Sequence, residues 1–311
     1  MIRYILFVMS LIYAYKLHAG TDRLERCRSD LIQLLHDEQG WIKVHAAEYL
    51  LQLGEYREGI ASVFHKEDSL YGDVPAYRIG IWRVLAQTDN EEIRSSYLGR
   101  IKAVFYDTSA NDRLHAIETL AKLREPLSLK DSLVSEALQS RLVPMMLYTK
   151  WNAAYHSVDM QRQVSDELAM MLLDGKSRLS VDEQKTACYV IRQLDRLSIK
   201  CWQALHDFAL SELSNSPIKV TLYSTLYKTK PRAIIDRVLK NELEAVAIDS
   251  PDVITVLTVL CAKGSADDRA HLERFYLSLS NRALPHYDAD KHAASAYALY
   301  SLAYRIKMKE Q

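Results

Sequence analysis

The sequence predicts an all-α protein: a right-handed α-solenoid, or superhelix, of about eight antiparallel helical hairpins and about sixteen helices. Three observations carry that reading. Gly and Pro are scarce, at 9 and 7 among 311 residues, too few for the tight turns of a hairpin-rich β protein. Leu, Ala, Arg, Lys and Glu dominate, and these are helix formers. Finally, one apolar pattern recurs along almost the whole chain. Hydrophobic residues at 49% and charged residues at 26% place the chain among proteins that bury a core.

The recurrence can be followed column by column. Leu50, Leu85, Leu120, Val158, Ile191, Leu226, Leu260 and Leu299 lie 33 to 39 residues apart. Four residues before each stand Ala46, Ile81, Ala116, Ala154, Ala187, Leu222, Val256 and Ser295. Three before stand Ala47, Trp82, Ile117, Tyr155, Cys188, Tyr223, Leu257 and Ala296. No charged residue occupies any of these places. Positions i, i−3 and i−4 share one helix face, so each copy is a helix with an apolar stripe at the same phase.

Before the first copy, residues 1–20 read as a secretory signal. Arg3 supplies the positive start, and Tyr4 to Tyr15 form an uncharged apolar block of 12 residues. That is short of the roughly 20 residues a membrane span needs. The spacing predicts cleavage near Ala19 or Gly20, leaving residues 21–311 as one solenoid domain with no stable membrane span; an uncleaved short anchor or a buried first helix is the alternative reading of the same block. The location implied is periplasmic or secreted.

Between the eight stripe-bearing helices lie eight others, read at 24–36, 56–66, 91–105, 129–142, 162–174, 199–213, 231–247 and 267–280. Most mix apolar and charged residues at helical period. The punctuation agrees. Ser180 with Glu183 spells a capping box. Ser216-Pro217 and Ser250-Pro251 each set a hydroxyl before a Pro suited to a helix start. Gly54 and Gly264 both fall four after the stripe's last residue, where a left-handed glycine would close the helix. Cys27, Cys188, Cys201 and Cys261 show no C-x-x-C spacing and read as buried thiols.

Some copies carry a resemblance. VHAAEYLLQLG (44–54), RLHAIETLAKL (113–123) and KHAASAYALYSL (291–302) resemble the second helix of HEAT-type repeats, with paired small residues, then Leu, then Leu-Gly. CAKGSADDRAHLERF (261–275) resembles the passage from one such repeat into the next helix. The likeness is looser in copies two, four and six, where Trp82, Tyr155 and Tyr223 replace small residues. It implies a HEAT-like armature that serves as an interaction surface for proteins, and a minority of such proteins are enzymes or nucleic-acid binders. A tetratricopeptide array, suggested by LGEYREGI (53–60), and a closed α/α toroid are the other architectures open to this sequence.

Charge narrows the function classes. Basic and acidic residues number 40 each, and a chain whose main task is holding phosphates needs a basic excess. Nucleic acid is therefore not expected as a partner. No H-E-x-x-H, G-x-S-x-G, Walker or G-x-G-x-x-G motif is present, and no metal, cofactor or catalytic set is predicted. His45 and His115 share a column two copies apart, about 20 Å at the usual helix spacing, too far to bind one zinc ion. His36-Asp37-Glu38 and His286-Tyr287-Asp288-Ala289-Asp290 precede stripe-bearing helices and read as caps and first-turn acids. Trp41 and Trp151, each placed at the opening of a stripe-bearing helix, are candidate partner-binding aromatics, joined by His45 and His115. The expected function is an exported, non-catalytic scaffold offering a concave helical surface to a protein partner. A solenoid or toroid enzyme acting on a polysaccharide or another envelope substrate is the alternative, and a glycan is the second class of ligand.

Overall fold

A computed structural model describes residues 23–310, apart from 89, 175–178, 213–215, 231–236, 265–267 and 286 and the side chains of 212 and 307–310. The signal read at 1–20, the second cluster's His286 and the first six residues of the helix read at 231–247 lie outside the described residues. Sixteen helices and no strand occur among the described residues. The first row comprises α1 (23–37), α3 (Arg57–Tyr71), α5 (Glu91–Tyr106), α7 (Ser132–Leu138), α9 (Val158–Leu173), α11 (Ile199–Glu212), α13 (Arg237–Glu244) and α15 (Asp268–Leu279). The stripe-bearing second row comprises α2 (Gly40–Leu53), α4 (Tyr77–Thr88), α6 (Arg113–Lys122) and α8 (Val143–Ala154). It continues with α10 (Val181–Leu194), α12 (Lys219–Thr229), α14 (Val253–Lys263) and α16 (Ala289–Glu310).

The chain forms two compact units. Unit 2 spans Glu58–Val259, and unit 1 joins Met1–Arg57 to Leu260–Gln311. In unit 2 each second-row helix packs on the next: α4 on α6, α6 on α8, α8 on α10 and α10 on α12. The first-row helices fill in between them. Unit 1 is ordered differently. In a linear stack the first hairpin has only the second as a neighbour, but here α2 packs along α16 of the last hairpin. Small residues permit the approach, since Ala46, Ala47, Ala293 and Ala296 are all fully buried. Tyr49 and Tyr297 stack beside them with ring centroids 4.6 Å apart.

The columns are core. Leu50, Leu85, Leu120, Ile191, Leu226, Leu260 and Leu299 are fully buried, as is every member of the column four residues earlier. Copy four is the exception. Val158 is 52% exposed and opens α9, capped by the Ser157 hydroxyl, which accepts from the Met160 N–H. Pro144 lies in the first turn of α8, so that helix starts and ends early. The stripe's last place falls to Trp151, three residues before the helix end, as with Leu50, Leu85, Ile191 and Leu226. Ala153-Ala154 imitates the paired small residues of other copies, and so shifts the sequence register by seven residues.

The caps divide in the same manner. Ser180 and Glu183 form the capping box, with both reciprocal bonds present. Gly54 is left-handed at φ 73° and closes α2 through its own N–H and that of Glu55, bonded to Leu51 and Leu50 carbonyls. Gly264 is needed for a different reason than the one predicted. Its φ is not left-handed, but an added Cβ would lie 2.2 Å from the Leu260 carbonyl oxygen and 2.8 Å from Asp268 Oδ2. The Ser216 and Ser250 hydroxyls accept N–H bonds from Ile218 and Asp252, in the turn just ahead of α12 and α14.

Candidate binding surfaces

In unit 2 a continuous polar and aromatic strip runs across four stacked second-row helices. Arg83, on α4, is 2% exposed and donates from Nη1 to Thr119 Oγ1 of α6 at 3.1 Å. Glu118 lies one residue before that threonine. Lys122 Nζ is 2.9 Å from its carboxylate and His115 Nδ1 is 4.0 Å away. Burial works to raise the Glu118 pKa, but the charges of Lys122, Arg83 and His115 outweigh it, and the acid stays ionised below its usual range. On α8, Tyr148 is pushed up by burial and by the nearby charge of Glu118. Its neighbours on α10 are Thr186 and Tyr189, and the Tyr189 ring meets the Trp151 ring edge-on at 5.4 Å. Farther along α10, Lys185 reaches Asp252 at 3.2 Å, which also accepts from Thr221 of α12.

The strip offers hydrogen-bond donors beside a fixed negative charge. Phenols held protonated at neutral pH donate hydrogen bonds and do not act as bases. A carboxylate fixed by a lysine accepts hydrogen bonds and stays charged. The two thiols that shift behave alike: burial pushes Cys188 up to about 11 and Cys27 up to about 12, far from a reactive thiolate. All four cysteines are free and buried. Among the described residues, no group of three His, Cys, Asp or Glu side chains is arranged to hold a metal ion.

Unit 1 carries a second polar set, formed where α1 and α2 meet α15 and α16. Asp30 Oδ2 on α1 accepts from the Tyr276 hydroxyl at 2.6 Å and from His292 Nε2 at 3.0 Å. A carboxylate only accepts, so Nε2 carries the hydrogen; in the neutral ring Nδ1 then accepts from the Tyr287 hydroxyl at 3.0 Å. Burial works to raise the Asp30 pKa, and the bonds from His292 and Tyr276 overcome it and hold the acid below its usual value. His45 Nδ1 meets Asp290 Oδ1 at 2.8 Å. The Tyr297 hydroxyl donates to Gln52 and that of Tyr300 to Glu55, which Arg28 also engages.

The four sequence candidates therefore separate. His115 belongs to the unit 2 strip. His45 is engaged across the joint of unit 1, with Trp41 tilted over it at 6.4 Å. Trp151 is corrected: it is 1% exposed, its Nε1–H donates to the Tyr155 hydroxyl, and it fills the core place left by the register shift. The capping reading of the acidic clusters holds for Asp288, whose carboxylate accepts from the N–H groups of Asp290 and Lys291. Asp37 instead pairs with Arg282 and Asp290 with His45. The strip residues Arg83, Glu118 and Tyr189 share one column, two before the buried leucine or isoleucine. Reading the polar partner of each apolar column would have found them.

No family model, curated protein or solved structure matches the chain. No helix among the described residues is long and apolar enough to cross a membrane.

Proposed function

We propose that the chain is an exported, non-catalytic scaffold of HEAT-like type that presents its second-row helices to a protein partner in the cell envelope or outside the cell. The observation that supports this reading best is the strip of His115, Glu118, Tyr148, Lys185 and Tyr189, backed from within by the buried Arg83. It spreads ionised and phenolic groups across three helices, α6, α8 and α10, as a surface for extended polar contact does. Export rests on the composition of residues 1–20. On α9 the exposed Met170, beside the half-buried Met171 and Leu173 and between Glu167 and Asp174, adds adaptable apolar area of the sort partner surfaces favour.

The test compares the native chain with a Glu118→Gln, Tyr189→Ala double variant, each immobilised and exposed to native envelope extract. A protein retained by the native chain and reduced about tenfold or more by the variant is the expected result, equivalent to about 1.4 kcal/mol or more. Retention of an oligosaccharide with no protein would transfer the reading to the polysaccharide-acting enzyme. Equal retention by both chains would remove the strip from the interface.

A further inference from the structure

The joint in unit 1 has an unusual composition. Among the described residues, the polar bonds across it link residues about 245 or more apart in sequence: Arg23 to Glu273, Asp30 to Tyr276 and His292, Asp37 to Arg282, His45 to Asp290, Gln52 to Tyr297, Glu55 to Tyr300. Asp30, Asp37 and Glu55 of the first hairpin meet a histidine, an arginine and tyrosines from the other side, while Arg23 and His45 of the first hairpin meet the carboxylates of Glu273 and Asp290. The two faces are complementary but not alike.

The buried residues of the unit also come from both ends. Leu31, Leu34, Leu35, Val44 and Leu50 belong to the first hairpin, and Leu272, Phe275 and Leu299 to the last two helices. A single helical hairpin buries too little to stand alone. A first hairpin that leaves its own α15–α16 pair therefore needs the same surface elsewhere, and only another copy of the chain carries it.

The covalent tether is short and strained. Between α2 and α3 run Gly54, Glu55 and Tyr56. Gly54 has φ 73° and Tyr56 has φ 55°, and the latter is a left-handed conformation that a bulky side chain rarely adopts. Strain in a short tether favours opening, whereas the high effective concentration of a tethered hairpin favours closure within one chain.

We propose that this joint is exchangeable, and that the α1–α2 hairpin of one copy docks on the α15–α16 pair of a second copy through the same contacts. Because the faces are unlike, the association is head-to-tail: it closes as a reciprocal pair or ring, or it extends as a chain of copies. Strain at the tether and protein concentration set the balance between the closed monomer and the exchanged form.

The stacked pair Tyr49–Tyr297 supplies a reporter that needs no substitution. Equal amounts of isotope-light and isotope-heavy chain are mixed at high concentration, opened in mild denaturant and returned to native buffer. Light scattering separates monomer from oligomer. Persulfate-driven photo-oxidation then couples adjacent tyrosines, each phenol losing one hydrogen atom to the oxidant as the ring–ring bond forms. The expected result is a Tyr49–Tyr297 cross-link of mixed isotope in the oligomer and of single isotope in the monomer. Gly54→Val, which penalises the left-handed closed joint, should raise the oligomer fraction about fivefold. Tyr56→Gly, which relieves the strain, should lower it, and it serves as the control if Gly54→Val does not fold. A chain that returns only as monomer at every concentration overturns the proposal. So does an oligomer whose Tyr49–Tyr297 links are all of single isotope, or an oligomer fraction unmoved by a folded joint variant.

Discussion

Units 1 and 2 use the same apolar column and spend it on different neighbours. In unit 2, α6 meets α8 and α8 meets α10, so each stripe covers the next hairpin in sequence. In unit 1 the stripe of α2 is covered by α16, brought from the far end of the chain. The cross-links differ in kind as well. Unit 2 bonds its second-row helices through buried side chains: Arg83 to Thr119, Arg192 to Thr225 and the Thr221 carbonyl. Unit 1 relies on the part-buried Asp30 against His292 and Tyr276 and on an exposed pair of Asp37 with Arg282. Local stacking gives cooperative neighbour contacts, whereas pairing of chain ends adds loop closure over most of the sequence. The two units should therefore lose structure separately.

The largest effect on this comparison comes from the columns. Leu120→Ala and Leu50→Ala each remove a fully buried leucine and should each cost about 2–5 kcal/mol. They should act on different transitions. Trp82, Trp151 and Trp202 lie in unit 2, and Trp41 alone lies in unit 1, so a Trp41→Phe background reports unit 2 by fluorescence. In denaturant melts on that background, Leu120→Ala should lower the midpoint and Leu50→Ala should leave it nearly in place. Equal shifts from both would mean that the units unfold together.

A smaller effect, confined to unit 1, is expected at Asp30. Replacing it with Asn removes the charge from two hydrogen bonds of a part-buried acid and should cost about 1.5–3 kcal/mol. The pH dependence follows from the depressed pKa. A carboxyl more acidic folded than unfolded stabilises fully above its unfolded value, and that stabilisation is lost as pH falls through the folded value. The native chain should thus lose unit 1 stability below about pH 3.8, the ordinary value for this group, with a steeper slope than Asp30→Asn. Hydrogen exchange of α1 and α16 amides across that range measures it. Matching slopes in the two chains would show that Asp30 does not titrate differently on folding.

The sequence made the columns legible because a repeat writes the same burial many times over. It misplaced copy four, where Ala153-Ala154 supplied a small pair at the wrong phase and Pro144 moved the helix start. It also gave Gly264 the role of Gly54, because a glycine kept for left-handed φ and one kept for close approach are spelled alike. The strip was partly visible: His115 was singled out, while Glu118, three residues on, and Tyr189 in the same column were not. The joint of unit 1 was invisible for a plain reason. Nothing in the local pattern of Asp30 names His292 as its partner, since pairing over such a separation is decided by packing and not by periodicity.

The smallest expected effect tests the local end of the comparison. The Ser180 hydroxyl accepts from the Glu183 N–H at 3.3 Å, and Glu183 Oε2 in return accepts from the Ser180 N–H at 2.7 Å. This box starts α10, a helix packed on both sides in unit 2. Ser180→Ala removes the hydroxyl acceptor and should cost about 1 kcal/mol, with Asp182 and Glu183 still favouring the helix start through its dipole. The loss belongs to unit 2 alone, so the Trp41→Phe background should show the whole of it, while exchange of the α1 and α16 amides stays unchanged. If those distant amides lose protection along with α10, the chain ends and the stacked middle are one cooperative structure, and the division between them fails.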